Sequence, residues 1–178
     1  MGSIKKELLS GVFYTAIAKY SGILISLIIT GVLARLISPD KFGIVAVVTV
    51  ITFFFSIFSD LGIGAAIIQN KELQQKDLNQ LFSFTVWSGC ILTLLFFLCS
   101  WPISFFYKEP SMKTITQLLA INLFFASANI VPNALLYKAK AFKFLAWRSL
   151  GVQVSGGIIA ILAALGGAGL YALIINPI

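Results

Sequence analysis

Long apolar runs alternate with short polar breaks along the whole chain, and the alternation repeats five times. The runs cover roughly 11–34, 42–68, 81–107, 115–137 and 150–175. Each is long enough to cross a hydrocarbon core of about 30 Å at a rise of about 1.5 Å per helical residue. The apolar positions are continuous rather than alternating, which excludes a membrane β-barrel. The pattern predicts an all-α fold, a polytopic transmembrane helix bundle of five helices forming one membrane domain over residues 1–178. The first run is longer than a signal-peptide core and is expected to stay as a helix.

Composition agrees with this pattern and narrows the chemistry. Hydrophobic residues make up 59% of the chain and charged residues 11%. A soluble domain carries about 25% charged residues, so too little polar surface is present to clothe one. There is no histidine, which removes histidine-based zinc motifs, general bases and proton relays. No nucleophile-elbow, phosphate-loop or dinucleotide-binding pattern occurs, so an enzyme is not expected, nor a cofactor or metal. The two cysteines, Cys90 and Cys99, share one run nine residues apart. That is about 13 Å of helical rise, too far for a mutual disulfide.

Charge sets an expected orientation. With the N-terminus in the cytosol, Lys5, Lys6, Lys71, Lys76, Lys138, Lys140, Lys143 and Arg148 fall inside. Arg35, Lys41, Lys108 and Lys113 fall outside. Eight against four obeys the positive-inside rule. Tyr107, Tyr137, Trp147 and Tyr171 stand near run ends, where aromatic belts form. Topology and anionic lipid explain the sequence pI near 9.6 without any nucleic acid.

The breaks and the minority residues carry the remaining signal. Ala18, Gly22, Ser26, Thr30 and Ala34 form a small-residue stripe in the first run, and Gly156, Ala160, Ala164 and Ala168 form one in the fifth. Such stripes let helix backbones approach closely in lipid. Ser38–Gly43 reads as a tight turn and Gln69–Gln80 as a solvated loop. The glycines in Asp60-Leu-Gly-Ile-Gly mark close packing or a local distortion, and Pro102 a kink or an end. Asn122, Asn129 and Asn133 share one face of the fourth run, with Pro132 freeing a carbonyl one turn back. They either bond neighbouring helices or line a hydrated cavity. Lys138–Arg148 is basic and aromatic and reads as interfacial anchoring, or as an attractor of an anionic lipid-linked substrate.

Two ionisable residues sit inside runs. Lys19 is about 9 Å from the start of the first, and Asp60 about 12 Å from the end of the second. If the two helices are antiparallel neighbours, both side chains reach one level. Each charge costs about 2.5–3.5 kcal/mol on insertion scales. Three readings stay open: an ion pair locking the helices, snorkelling of Lys19 to the head groups, or a cationic site where Lys19 meets a substrate phosphate and Asp60 holds it.

The string Leu33-Ala-Arg-Leu-Ile-Ser-Pro-Asp-Lys-Phe-Gly43 resembles the junction of the first two helices in bacterial polysaccharide flippases. These are the Wzx-type lipid-linked oligosaccharide exporters of the multidrug/oligosaccharidyl-lipid/polysaccharide superfamily. Asp60-Leu-Gly-Ile-Gly-Ala-Ala-Ile-Ile-Gln69, Lys76-Asp-Leu-Asn-Gln-Leu-Phe82, Leu136-Tyr-Lys-Ala-Lys-Ala-Phe-Lys-Phe-Leu-Ala146 and Ala164-Leu-Gly-Gly-Ala-Gly-Leu-Tyr-Ala-Leu173 resemble the family in the same order. The resemblance implies export of an undecaprenyl-pyrophosphate-linked glycan across the bacterial inner membrane by alternating access, in O-antigen or exopolysaccharide synthesis. It places a substrate-engaging cation at Lys19, with Asp60 also a recurring family residue. Such exporters have more helices than this chain, which implies an N-terminal fragment whose partners include the missing C-terminal helices and the membrane lipids. Two alternatives stay open: a non-transporting scaffold of a glycan-synthesis complex, and a drug/cation antiporter of the same superfamily.

Overall fold

A computed structural model describes residues 2–70 and 72–175 of the chain. Every regular element among them is helical: α1 (Gly2–Leu36), α2 (Pro39–Asp60), α3 (Ile63–Gln69), α4 (Gln75–Tyr107), α5 (Pro110–Lys138), α6 (Phe142–Leu165) and α7 (Leu170–Ile175). Five stretches are long and apolar enough to cross a membrane: Phe13–Leu36, Pro39–Gln69, Gln75–Tyr107, Pro110–Lys138 and Phe142–Leu165. In hydrocarbon a helix satisfies its own backbone groups, which is why these runs adopt no other form.

Several boundaries differ from those expected at 11–34, 42–68, 81–107, 115–137 and 150–175, each for a local reason. α1 begins at Gly2, well ahead of its apolar run. The second run is broken after Asp60, where Leu61 (φ 42°) and Gly62 (φ 77°) turn left-handed before α3 starts. Glycine takes that conformation without a Cβ clash, and the break therefore falls on it. α4 starts at Gln75 rather than 81 because Gln74 and Asp77 form a reciprocal capping box, the Gln74 N–H donating to Asp77 Oδ2 at 2.9 Å. The solvated loop is shorter by that turn. Pro102 and Pro132 lie inside α4 and α5, which continue past them.

The last run is the largest departure. α6 starts at Phe142, so most of the basic stretch forms its first turns. It stops at Leu165, where Gly167 (φ 84°) and Gly169 (φ 47°) reverse the backbone ahead of the short α7.

The chain divides into two compact units, residues 1–42 with 139–178, and residues 43–138. In the first, α6 packs on α1 and α7 on α6. Of the expected small-residue stripes, Gly22 and Ala160 are buried in this unit. A Cβ added at Gly157 would run into the Ile29 side chain, and one at Gly22 would stand 2.8 Å from Gln153 Oε1. Gly22, Ile29 and Leu33 of α1 and Gly157 and Ala160 of α6 are buried. In the second, α5 is the central element, packing on α4 and α3. A Cβ on Gly89 of α4 would lie 2.6 Å from Ser127 Cβ of α5, so the two backbones meet closely there. Ile67, Val131 and Ala134 are the buried centre of the α3–α5 contact. Phe55 of α2 stacks on buried Phe96 of α4, ring centroids 4.8 Å apart.

Candidate functional site

Polar groups inside apolar helices identify the candidate site, and each unit carries its own set. In the first unit, Lys19 is exposed on α1. It shares a helical face with Ser26 and Thr30, spaced i, i+7 and i+11. This face flanks the seam with α6. The seam also holds a polar link: Gln153 Nε2 donates to the Gly22 carbonyl at 2.8 Å. The stretch around Gly22, one turn beyond Lys19, is thereby fixed to α6.

In the second unit, Asn122 and Asn129 are exposed and Asn133 is half-buried on α5. Their spacing is also i, i+7 and i+11, on the flank of the face that packs against α4. Asn129 Nδ2 donates back to the Phe125 carbonyl at 3.1 Å. Asn133 is engaged with another group of the chain. Asn122 and Asn129 thus do not sit within the helix-packing core of their unit.

Asp60 is exposed at the α2–α3 break. Its Oδ1 accepts from the Gly64 N–H at 3.3 Å, one of the donors left orphaned at the start of α3. The carboxylate therefore has a local structural task. Its height is fixed by its neighbours. Ser59 and Ser127 share a buried hydroxyl–hydroxyl bond of 3.0 Å, and a Cβ on Gly64 would lie 4.0 Å from Ile130 Cγ2. Asp60 thus lies level with residues 127–130 of α5, a span that includes Asn129. Lys138 Nζ donates to the Asn70 carbonyl at 2.7 Å, closing the far end of α3 against α5.

Lys19 and Asp60 belong to different units, and each is placed by its own surroundings. The Ser59–Ser127 and Gln153–Gly22 links were not singled out from the sequence. Serine and glutamine carry no charge to mark them, although a glutamine inside an apolar run is a signal that could have found the second. Among the described residues, no three His, Cys, Asp or Glu side chains gather as a metal site. Cys90 and Cys99 are both free thiols.

Five apolar spanning helices with polar side chains on their flanks define a multi-pass membrane protein. The chain belongs to the family described as polysaccharide biosynthesis protein, whose model matches residues 32–178. It is similar to the lipopolysaccharide biosynthesis protein WzxC of Escherichia coli, 27% identical over 158 residues, covering 89% of this chain and 31% of that protein. The teichuronic acid biosynthesis protein TuaB of Bacillus subtilis is 28% identical over 121 residues, covering 68% of this chain and 25% of that protein. The succinoglycan biosynthesis transport protein ExoT of Rhizobium meliloti is 23% identical over 143 residues, covering 80% and 29%. The chain therefore spans less than a third of the length of these relatives. No solved structure matches it.

Proposed function

We propose that this chain is part of an exporter that carries a lipid-linked polysaccharide precursor across the bacterial inner membrane by alternating access. In this reading Lys19 meets the phosphate of the carrier lipid. The observation that carries it is the placement of Lys19, an exposed ammonium within a membrane span, on a polar stripe with Ser26 and Thr30. A charge in such a place is costly unless it pairs or faces water, and an anionic head group answers both needs. The family and the names of the relatives point to polysaccharide as the cargo. Asn122, Asn129 and Asn133 offer uncharged donors and acceptors suited to sugar hydroxyls.

Asp60 has a second reading, favoured by its bond to the Gly64 N–H: it serves the α2–α3 break rather than the cargo. The test is made in the full-length gene product, scoring surface polysaccharide against membrane abundance. Lys19→Met should abolish export at normal abundance, and Lys19→Arg should retain most of it. Normal export by Lys19→Met would overturn the proposal. Asp60→Asn should export normally if the residue is a cap, because the amide oxygen still accepts.

A further inference from the structure

The outward face of α6 joins part of the basic and aromatic stretch Lys138–Arg148 to an apolar surface and an open glycine. Phe144, Trp147, Ile158, Leu162 and Leu165 stand along it, all more than half exposed. Lys143 and Arg148 flank Phe144 and Trp147 in the first two turns, and both are exposed. Gly151 lies on the same face one turn beyond Trp147, and a Cβ built there meets nothing within 4 Å, so the apolar face has a notch just past the cations. Lys140 and Arg148 each also engage another group of the chain, which limits their freedom.

Charge decides what fits this face. No Asp or Glu follows Glu109, so the whole stretch from Pro110 to Ile178 supplies cations and no carboxylate. We propose that this face of α6 is a docking surface for an anionic phospholipid of the bilayer. Its phosphate lies between Lys143 and Arg148, its glycerol region in the Gly151 notch, and an acyl chain along Ile158 and Leu162. The aromatic pair Phe144 and Trp147 marks the head-group level, where amphipathic rings settle. An ammonium and a guanidinium five residues apart, on opposite flanks of the Phe144–Trp147 face, can meet one phosphodiester from its two sides. The inference does not rest on the proposed cargo.

The test uses the whole chain with Trp87→Phe and Trp101→Phe, leaving Trp147 as the fluorophore, in lipid nanodiscs. Brominated phosphatidylglycerol and brominated phosphatidylcholine are compared at equal bromine content. Phosphatidylglycerol should quench Trp147 more strongly, by roughly fivefold in apparent affinity for each cation engaged. Lys143→Gln with Arg148→Gln should remove the difference. Gly151→Leu should weaken quenching while the lipid preference stays. Equal quenching by both lipids in the parent protein would overturn the proposal. Displacement of the brominated phosphatidylglycerol by a trace of polyprenyl pyrophosphate would also overturn it, assigning the face to a carrier lipid instead.

Discussion

Asp60 shows how far a single residue can be read from sequence. Its presence in an apolar run was legible, because a carboxylate there stands out against every neighbour. Its bond to Gly64 was not, because that depends on Leu61 and Gly62 turning left-handed. Replacing a capping side chain by alanine costs about 0.5–2 kcal/mol. Asp60→Ala should lose that much stability on unfolding in mixed micelles, and Asp60→Asn much less. A second residue gives a prediction of opposite sign. Thr116 is fully buried on α5, and its hydroxyl has no hydrogen-bond partner among the described residues. A buried hydroxyl left unmatched costs about 1–3 kcal/mol, so Thr116→Val should hold or raise stability in the same assay. A clear loss would show that the hydroxyl is satisfied.

The elements were legible in number and type because hydropathy is what makes a helix the only tolerable form in lipid. Their ends were less so. The α4 start depends on a Gln74–Asp77 exchange of hydrogen bonds, and the α6 end on two left-handed glycines, neither of which changes the hydropathy profile. Of the small-residue stripes of the first and last runs, Gly22 and Ala160 are buried in the α1–α6 unit, while its tightest approach, Gly157 against Ile29, involves residues outside both stripes. Gly157→Leu should open the α1–α6 seam at a cost of about 1–3 kcal/mol or more. Gly31→Ala is the control on α1. A Cβ there meets nothing within 4 Å, and the helix gains about 0.5–1 kcal/mol from the change. Equal losses in the two variants would contradict the seam.

At the scale of the molecule, the spacing of cations predicts where each loop emerges. With Cys90 and Cys99 replaced by alanine, Asp40→Cys should react with an impermeant thiol reagent only from outside the cell. Lys140→Cys should react only after the inner face is opened. The reverse pattern would invert the chain in the membrane. The asparagine stripe on α5 was legible as a helical spacing, while the α1 face of Lys19, Ser26 and Thr30 was masked because the last two read as small packing residues, and the division of the chain into two units depends on which helices choose each other. The central claim is that position 19 faces water within the span. Its most direct measurement is labelling of Lys19→Cys by a charged thiol reagent, in the same cysteine-free background, against Leu24→Cys on the opposite face of α1. Reaction is expected at 19 and none at 24. Silence at both positions, or equal labelling at both, would contradict it.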